Sequence, residues 1–496
     1  MSLEGKFSWD FLKIVADTLD SYRIRVLIDA KNDIINAGIY SEPQYNTILF
    51  NMFNEEKLKY HLLNFLKNKK EKNIKVIKEF SESISISLNK TYSLLELLKN
   101  EHLIEIEELY DKKESENNNS NSLILQDLAI KINHINPVNY RSIYEPVKVI
   151  FDSNNCSGCG LCSGICPMNC LNIYNGFGKI DEEKCIKCGL CYLFCPRSFL
   201  PTRILNMTIE NTSEIKSYSM IGYYSGIYSA RTKVEEISKV CQDGGISSTC
   251  LYYLLEKDEI DYALGAQMSK TPWRPEPLLI KSKEDILSTA GTKYVSNATL
   301  TLLKDLNNKT SRLAIVGVPC MMQSLLKSEI YSIGIPSISN VKYRIGIFCM
   351  ESFSYESLLK ICEKLDLDIK TIKKMDINKG KFFAHTSNGE FNIPIKEISH
   401  LARPDCEVCY DLTSESADIS VGSIGSPSGW NTVIIRTKLG RELFNKLISN
   451  NLIESKSIEK VQPGLSLLQK VAGTKRNTCK KHINTRLNEN LRIPQY

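Results

Sequence analysis

Two runs of cysteine constrain this chain more than any other feature. CSGCGLCSGICP sets Cys156, Cys159, Cys162 and Cys166 at the spacing C-x2-C-x2-C-x3-C-P, and CIKCGLCYLFCP repeats it with Cys185, Cys188, Cys191 and Cys195. Three closely spaced thiolates wrap one iron-sulfur cubane, and the fourth, carried on a short helix, reaches the other cluster of a two-cluster fold. Pro167 and Pro196 complete the pattern, and the small Gly160 and Gly189 let backbone pass close to a cluster. A zinc ribbon is the competing structure, but it uses paired C-x2-C and has no need of the third and fourth cysteine in each run. Cys170 lies outside the pattern and reads as a spare buried thiol.

The runs resemble those of two-cluster bacterial ferredoxins. In such a fold Cys156, Cys159, Cys162 and Cys195 hold one 4Fe-4S cluster, and Cys166, Cys185, Cys188 and Cys191 hold the second. A module of this kind relays single electrons and performs no substrate chemistry alone, so the remainder of the chain must supply a donor or acceptor. The chain has 496 residues, enough for two to four domains, and its excess of basic over acidic residues is only +6. That balance alone does not point to nucleic acid or an anionic membrane. No apolar run reaches the roughly 18 residues of a membrane span, and no signal peptide is evident. Seventeen cysteines then fit a reducing compartment. The expected location is the cytoplasm, free or peripheral to a membrane complex.

The first 150 residues contain no cysteine and read as helical. In residues 55–68, Leu58, Leu62, Phe65 and Leu66 recur at helical spacing. Residues 84–109 have the rhythm of a winged helix: a short helix, a turn at Asn89, a second helix, then the strand-like HLIEIEEL. Glu96, Glu101, Glu105 and Glu107 oppose a phosphate backbone, so a helical docking or linker module is expected there and nucleic-acid binding is not. KKESENNNSNS, residues 112–122, reads as a flexible boundary, and the prolines of 136–151 as an extended lead-in. The expected division is 1–111 helical and winged-helix-like, 112–147 linker, 148–205 the two-cluster domain, 206–460 an α/β or α+β core, and 461–496 a C-terminal tail. Within the core, strands are expected at 260–267, 312–318, 343–349, 417–423 and 431–437, and hairpin or edge pieces at 221–231 and 379–394.

Four further cysteines share one setting. Cys320 follows the strand RLAIVG, Cys349 ends YRIGIFC, and Cys406 and Cys409 form a C-x2-C pair. Strand ends of an open α/β sheet converge on one edge. Spacing alone leaves a third 4Fe-4S cluster and plain buried cysteines equally open, while Cys241, Cys250, Cys362 and Cys479 look structural. Gly244 and Gly245 stand directly before a helix that opens with Ser247, Ser248 and Thr249, where free amides favour a phosphate or a plain turn is formed. Lys293 and Tyr294 in AGTKY suit a phosphate or a ring, or equally a surface helix end, and VGSIGSPSGW, with Gly422, Ser423 and Gly425, is a second Gly- and Ser-rich loop or a plain flexible turn.

Taken in order, QDGG, AGTKY, VGVPC, IGIFC, FSYESL, INKGKF, CEVC and ADISVGSIGSPSGWNTVIIRT resemble the coenzyme F420 hydrogenase/dehydrogenase beta-subunit family across roughly residues 218–445. Members bind FAD beside a 4Fe-4S cluster and exchange a hydride with coenzyme F420. The resemblance implies that Cys320, Cys349, Cys406 and Cys409 hold that cluster. It also implies that Gly244, Gly245, Ser247, Thr292, Lys293, Tyr294, Gly317, Pro319 and the loop Gly422 to Gly429 surround the flavin. Val318 departs from the family's usual Thr before PC, and Cys241 precedes QDGG where a small residue is usual. A deazaflavin hands over two electrons together and a cluster takes one, so a flavin must stand between them. The expected partners are coenzyme F420 and other subunits of a redox complex: a hydrogenase, a heterodisulfide-reductase-like complex or a membrane oxidoreductase. A ferredoxin-fed reductase of an organic substrate and a non-catalytic electron-relay subunit are the alternatives.

Overall fold

The computed structural model describes residues 62, 65–66, 69–83, 87–100, 104–113, 122–132, 141–185, 190–198, 200, 205, 209, 217–306, 311–330, 336–489, 491 and 493–494. These fall into two compact units, one within Met1–Pro146, Cys185–Leu190 and Tyr331–Gly334, the other within Val147–Lys184, Cys191–Ile330 and Ile335–Tyr496.

In the first unit, helices α1 (Ile74–Ser83) and α2 (Leu88–Asn100) accompany an antiparallel hairpin of β1 (Ile104–Lys113) and β2 (Ser122–Ile132). Leu62, Leu66, Ile77, Phe80, Leu94, Leu98, Ile104 and Ile130 form its core. Leu62, Phe65 and Leu66 take the helical spacing expected of them, and Leu58 lies outside the described residues. Two expectations are corrected here. Asn89 belongs to the first turn of α2 rather than to the connection, and the stretch read as linker supplies β2, because LILQDLAIKI carries enough branched apolar side chains to pair with β1. The expected extended lead-in is helix α3 (Arg141–Asp152), with Pro146 inside it. Val147 and Ile150 of α3 are buried, and the Phe151 ring occupies the space that a side chain on Gly178 would need.

The second unit begins with two small hairpins, β3 (Leu171–Tyr174) with β4 (Phe177–Ile180), and β5 (Ser217–Ser219) with β6 (Gly222–Tyr224). Its main sheet is eight-stranded and mixed. The strands are β7 (Gly226–Thr232), β8 (Tyr262–Met268), β9 (Pro275–Ile280), β10 (Leu313–Gly317), β11 (Val341–Ile347), β15 (Ile419–Gly422), β16 (Asn431–Ile435) and β17 (Ile453–Ser457), in the order β17-β7-β16-β15-β11-β10-β8-β9. A separate three-stranded sheet joins β12 (Ile372–Asn378), β13 (Lys381–Thr386) and β14 (Gly389–Pro394). Strands β8, β10, β11 and β15 run parallel to their neighbours within that set. LAIVG in β10 is almost wholly buried, as a parallel strand covered on both faces requires. Helix α4 (Ile246–Glu256) lays Ile246, Cys250, Leu251 and Leu254 into the main core with Ala314, Ile345 and Val433. Helix α5 (Pro319–Ile330) follows β10, and the long helix α6 (Gly464–Asn488) closes the chain.

The multidomain α/β architecture is as expected, with two corrections. Strand β7 is interior, flanked by β16 and β17, so residues 226–231 are no edge piece. The C-terminal tail is mostly one 25-residue helix. Among the described residues, no helix is long and apolar enough to cross a membrane.

One electrostatic cluster ties sequence-distant elements of this sheet. Glu259 accepts hydrogen bonds from Lys446, from Tyr343 Oη at 3.0 Å and from Lys342 Nζ at 3.2 Å. Lys446 first, then Tyr343 and Lys342, hold its carboxyl down at about 2. The stabilisation it contributes is therefore present above the ordinary pKa of 4.5 and is lost as pH falls toward 2. Glu259→Gln should lower the melting temperature at pH 7 and converge on the wild type near pH 2, a comparison made by circular dichroism melts across that range.

Candidate redox site

The first cysteine run is folded around close backbone approaches. Gly160 has φ 89° and caps the short helix Leu161–Gly164. A side chain on Gly160 or Gly164 would strike the segment Ala298–Leu303, and Leu300 N donates to Cys159 O at 3.2 Å. The glycine's smallness thus admits protein, not only a cluster. Gly178 N donates to Cys156 Sγ at 3.3 Å, and Arg197 N to Cys195 Sγ at 3.4 Å. Burial first, then the neighbouring Cys195 and Cys159, push the Cys156 thiol up to about 12. Burial and Cys195 raise Cys159 too, and Cys162 is raised by burial and by Cys156, Cys159, Cys191 and Cys195. Burial thus acts on Cys156, Cys159 and Cys162 alike, and Cys195 acts on all three. As thiolates they demand a cationic iron centre, so the donor set fits a cubane, whose assembly must displace their protons.

The second set is only partly visible. Cys166 Sγ lies 3.4 Å from Cys170 Sγ, and that hydrogen bond first, with backbone amides, brings Cys166 down to about 6 against the effect of burial. Cys170 is buried, as expected, and neighbours a candidate ligand. Cys191 is half-buried, Cys185 belongs to the first unit, and Cys188 lies outside the described residues.

The third set forms where parallel strands end. Strands β10 and β11 are paired in parallel, so their C-terminal ends lie at one edge of the sheet. Cys320 is not strictly a strand-end residue. Pro319 opens α5, a favoured place for proline, and Cys320 sits in that helix's first turn. Cys349 follows β11, Cys406 lies in the short helix Pro404–Glu407, and Cys409 comes just after it. Ser352 N donates to Cys406 Sγ at 3.4 Å. Burial first, then Cys409 and Asp405, push Cys349 up to about 11 against the pull of Lys475. Cys406 is raised by burial, Asp405, Cys349 and Cys409, and Cys320 by burial, Cys159, Asp405 and Cys409. These four thiols also fit a cubane, and Cys320 faces Cys159 of the first set as well. Among the described residues, no three His, Cys, Asp or Glu groups converge tightly enough for a single metal ion.

Several buried ions that sequence reasoning missed join the two sets. Arg403 and Arg197 flank Asp405, at 3.1 Å and 3.6 Å, and all three are essentially unexposed. Arg403 Nη2 also donates to Cys156 O at 2.6 Å and to Gly176 O at 2.8 Å, and its guanidinium lies 4.6 Å over the Phe177 ring. Helix α5 presents Cys320, Ser324 and Lys327 on one face. Ser324 Oγ donates to Met321 O at 2.8 Å and draws the Cys159 thiol down against burial, and Lys327 Nζ donates to Cys195 O at 2.8 Å and Ser198 Oγ at 2.9 Å. Lys475, from α6, donates to Cys349 O and, at 2.9 Å, to Asp411 O.

The candidate flavin segments also converge. Ile246 N at the start of α4 donates to Asn431 Oδ1 at 3.2 Å, Ser423 Oγ bonds Asp243, and Asp243 acts on Tyr294. Gly245, at φ 70°, caps α4 without a side-chain hydrogen bond, and Ser247 is half-buried. Burial lowers Lys293 to about 8, and its amine bonds the carbonyls of Thr289, Ala290 and Gly291. Thr292 and Ser423 are exposed. The expectation for the glycines is corrected in part: a side chain on Gly244 would meet Ala230 O and Asn431 N, on Gly317 it would meet Met321 and Met322, and on Gly422 Phe348. Those glycines admit the chain itself. Gly425, at φ 99°, needs glycine for its backbone, while Gly291 and Gly429 face open space. The start of α4, where Gly245 offers no side-chain cap, the largely buried Lys293 amine and the open Gly291 and Gly429 would suit an anionic, planar cofactor such as FAD.

Residues 310–461 match the family model for the C terminus of the coenzyme F420 hydrogenase/dehydrogenase beta subunit, residues 227–304 match that for the N-terminal part of the same family, and residues 148–196 match a 4Fe-4S dicluster domain. A coenzyme F420 hydrogenase subunit beta of Methanothermobacter thermautotrophicus is 37% identical over 279 residues, covering 55% of this chain and 99% of that protein. A subunit of the F(420)H(2) dehydrogenase of Methanosarcina mazei is 38% identical over 247 residues, 49% of this chain and 68% of that one. A chain of the F420-reducing NiFe hydrogenase complex from Methanosarcina barkeri aligns in structure with TM-score 0.53 and 38% identity, covering 56% of this chain and 97% of that chain.

Proposed function

We propose, because the chain belongs to the coenzyme F420 hydrogenase/dehydrogenase beta-subunit family, that it exchanges a hydride between coenzyme F420 and bound FAD and relays single electrons through three 4Fe-4S clusters to or from a partner redox complex. What supports the relay is that Cys320, Cys349 and Cys406 are all raised by burial and by Cys409, and Cys320 by Cys159 of the first set as well. FAD, when bound, links the paired transfer of a hydride to the single-electron steps of the clusters. Cys156, Cys159, Cys162 and Cys195 would hold the cluster next to that third set, and Cys166, Cys185, Cys188 and Cys191 the one farther along the relay. Hydride transfer itself asks no side chain for a proton, so no general acid or base is assigned.

The chain's own residues then do three things. Arg403, Asp405 and Arg197 fix the first cysteine run against the Pro404–Glu407 helix. The start of α4 and Lys293 supply positive potential for the phosphates of a dinucleotide. The core around β10 and β11 keeps water from the thiols. The winged-helix-like first unit is assigned to docking, and the partner belongs to a hydrogenase, a heterodisulfide-reductase-like complex or a membrane oxidoreductase, with the protein in the cytoplasm or at the membrane's face.

Protein purified without oxygen should carry about twelve irons and about one FAD per chain. It should oxidise reduced coenzyme F420 while reducing a viologen dye. Dye reduction fed only by a ferredoxin, with coenzyme F420 inert, would transfer the assignment to a reductase of another substrate. Absence of flavin would leave an electron relay.

A further inference from the structure

Helix α6 packs through a stripe of four residues, Leu468, Ala472, Lys475 and Cys479, all at most 4% exposed. Leu468 and Ala472 enter a core with Ile221, Leu412 and Ile434. Lys475 is the anomaly in that stripe, because a buried ammonium is costly unless something compensates its charge. Its amine donates to two backbone carbonyls, those of Cys349 and Asp411. Neither carries a formal charge. The Asp411 carboxylate is occupied by Gln323 Nε2 at 3.3 Å and by the amides of Thr413 and Glu415, each at 3.0 Å. The Asp405 carboxylate is held by Arg403 and Arg197. Among the described residues, no carboxylate lies within salt-bridge distance of Lys475. What its charge does face is the cysteine set: the amine sits on the backbone of Cys349, one of the four candidate ligands, and on that of Asp411, two residues beyond Cys409.

We propose that Lys475 is the fixed positive charge that sets the reduction potential of the cluster held by Cys320, Cys349, Cys406 and Cys409. The inference rests on that ligand assignment and names the residue that tunes the site. A cluster gains one negative charge on reduction, and a nearby cation in a dry surrounding favours the reduced form more than the same cation in water does. Since α6 lies beyond the strands that carry the cysteines, it acts as a charged clamp over the ligand set. It makes the cluster a better electron acceptor for whatever sits beside it.

Three variants separate charge from hydrogen bonding. Lys475→Gln keeps an N–H donor for the two carbonyls without the charge, Lys475→Arg keeps the charge, and Lys475→Met keeps neither. Potentials are read by anaerobic redox titration with electron paramagnetic resonance, and iron is counted in each preparation. The Gln and Met variants should lower the potential of this one cluster, with the other two unmoved, and the Arg variant should stay near the wild type. A Gln variant with full iron and the wild-type potential overturns the proposal. Loss of this cluster from Gln and Met but not from Arg supports a charge requirement, whereas loss from all three, Arg included, overturns it in favour of a packing role. A wild type with only two clusters instead overturns the ligand assignment, which the iron count reports independently of any Lys475 variant.

Discussion

Cys320→Ser should remove about four of about twelve irons per chain, abolish dye reduction by reduced coenzyme F420, and leave the two clusters of the Cys156–Cys195 region spectroscopically intact. The expectation follows from where the residue sits. Cys320 occupies the first turn of α5, and serine is both small enough and suited to that position, so the helix and the strand β10 before it should persist. What is lost is one thiolate of the proposed set with Cys349, Cys406 and Cys409, where Lys475 bonds the Cys349 carbonyl. Bound flavin should still be bleached by reduced coenzyme F420 in a single turnover, because the hydride step precedes the electron steps. Cys362→Ser is the control: Cys362 is buried among Phe353, Leu358 and Ile361, in a core distinct from the thiol sets, and its substitution should leave iron unchanged. Iron analysis, electron paramagnetic resonance and a stopped-flow trace decide the matter. Twelve irons in the serine variant would remove Cys320 from the ligand set.

The route to Cys320 shows how far sequence carries. The strand 313–317 announces itself by an apolar run, and cysteines spaced C-x2-C-x2-C-x3-C announce a metal-binding fold, because both signals are local. The turn from strand to helix at Pro319 was also legible, though the thiol sits in the helix rather than at the strand's end. The ions around the site were not. Arg197, Asp405, Arg403 and Lys327 look like ordinary surface charges in their own segments, and the pairings of Arg197 with Asp405, Lys327 with Cys195 and Arg403 with Cys156 each join residues more than a hundred apart. Lys475 had a faint signal: Leu468, Ala472, Lys475 and Cys479 follow helical spacing, so a lysine shares a stripe with apolar residues. A polar tail hid it. Glycine misled in the other direction, since at Gly244, Gly317 and Gly422 the missing side chain makes room for the protein's own atoms.

Asp405→Asn should be among the most destabilising single changes in the second unit, costing about 3–5 kcal/mol. Burial holds the Asp405 carboxyl above the usual range even against Arg403 and Arg197, so the ionised carboxylate is itself expensive to bury. Its removal is more expensive still, because two guanidinium groups at 1–2% exposure lose their counter-charge. Replacing the whole group tests whether charge is the cause. Arg197→Met, Asp405→Leu and Arg403→Met together should recover much of the stability, since similar volumes without charge satisfy the same space. They should not recover electron transfer at the same rate. Arg403 is the residue that bonds Cys156 O and Gly176 O, and without those bonds the first cysteine run is no longer fixed against the Pro404–Glu407 helix. Denaturant melts of the single and triple variants give the stability, and flash reduction gives the rate between clusters. A triple variant that regains stability with an unchanged rate would confine the triad to folding, and one that regains stability while slowing the relay assigns it the spacing of the two cysteine sets.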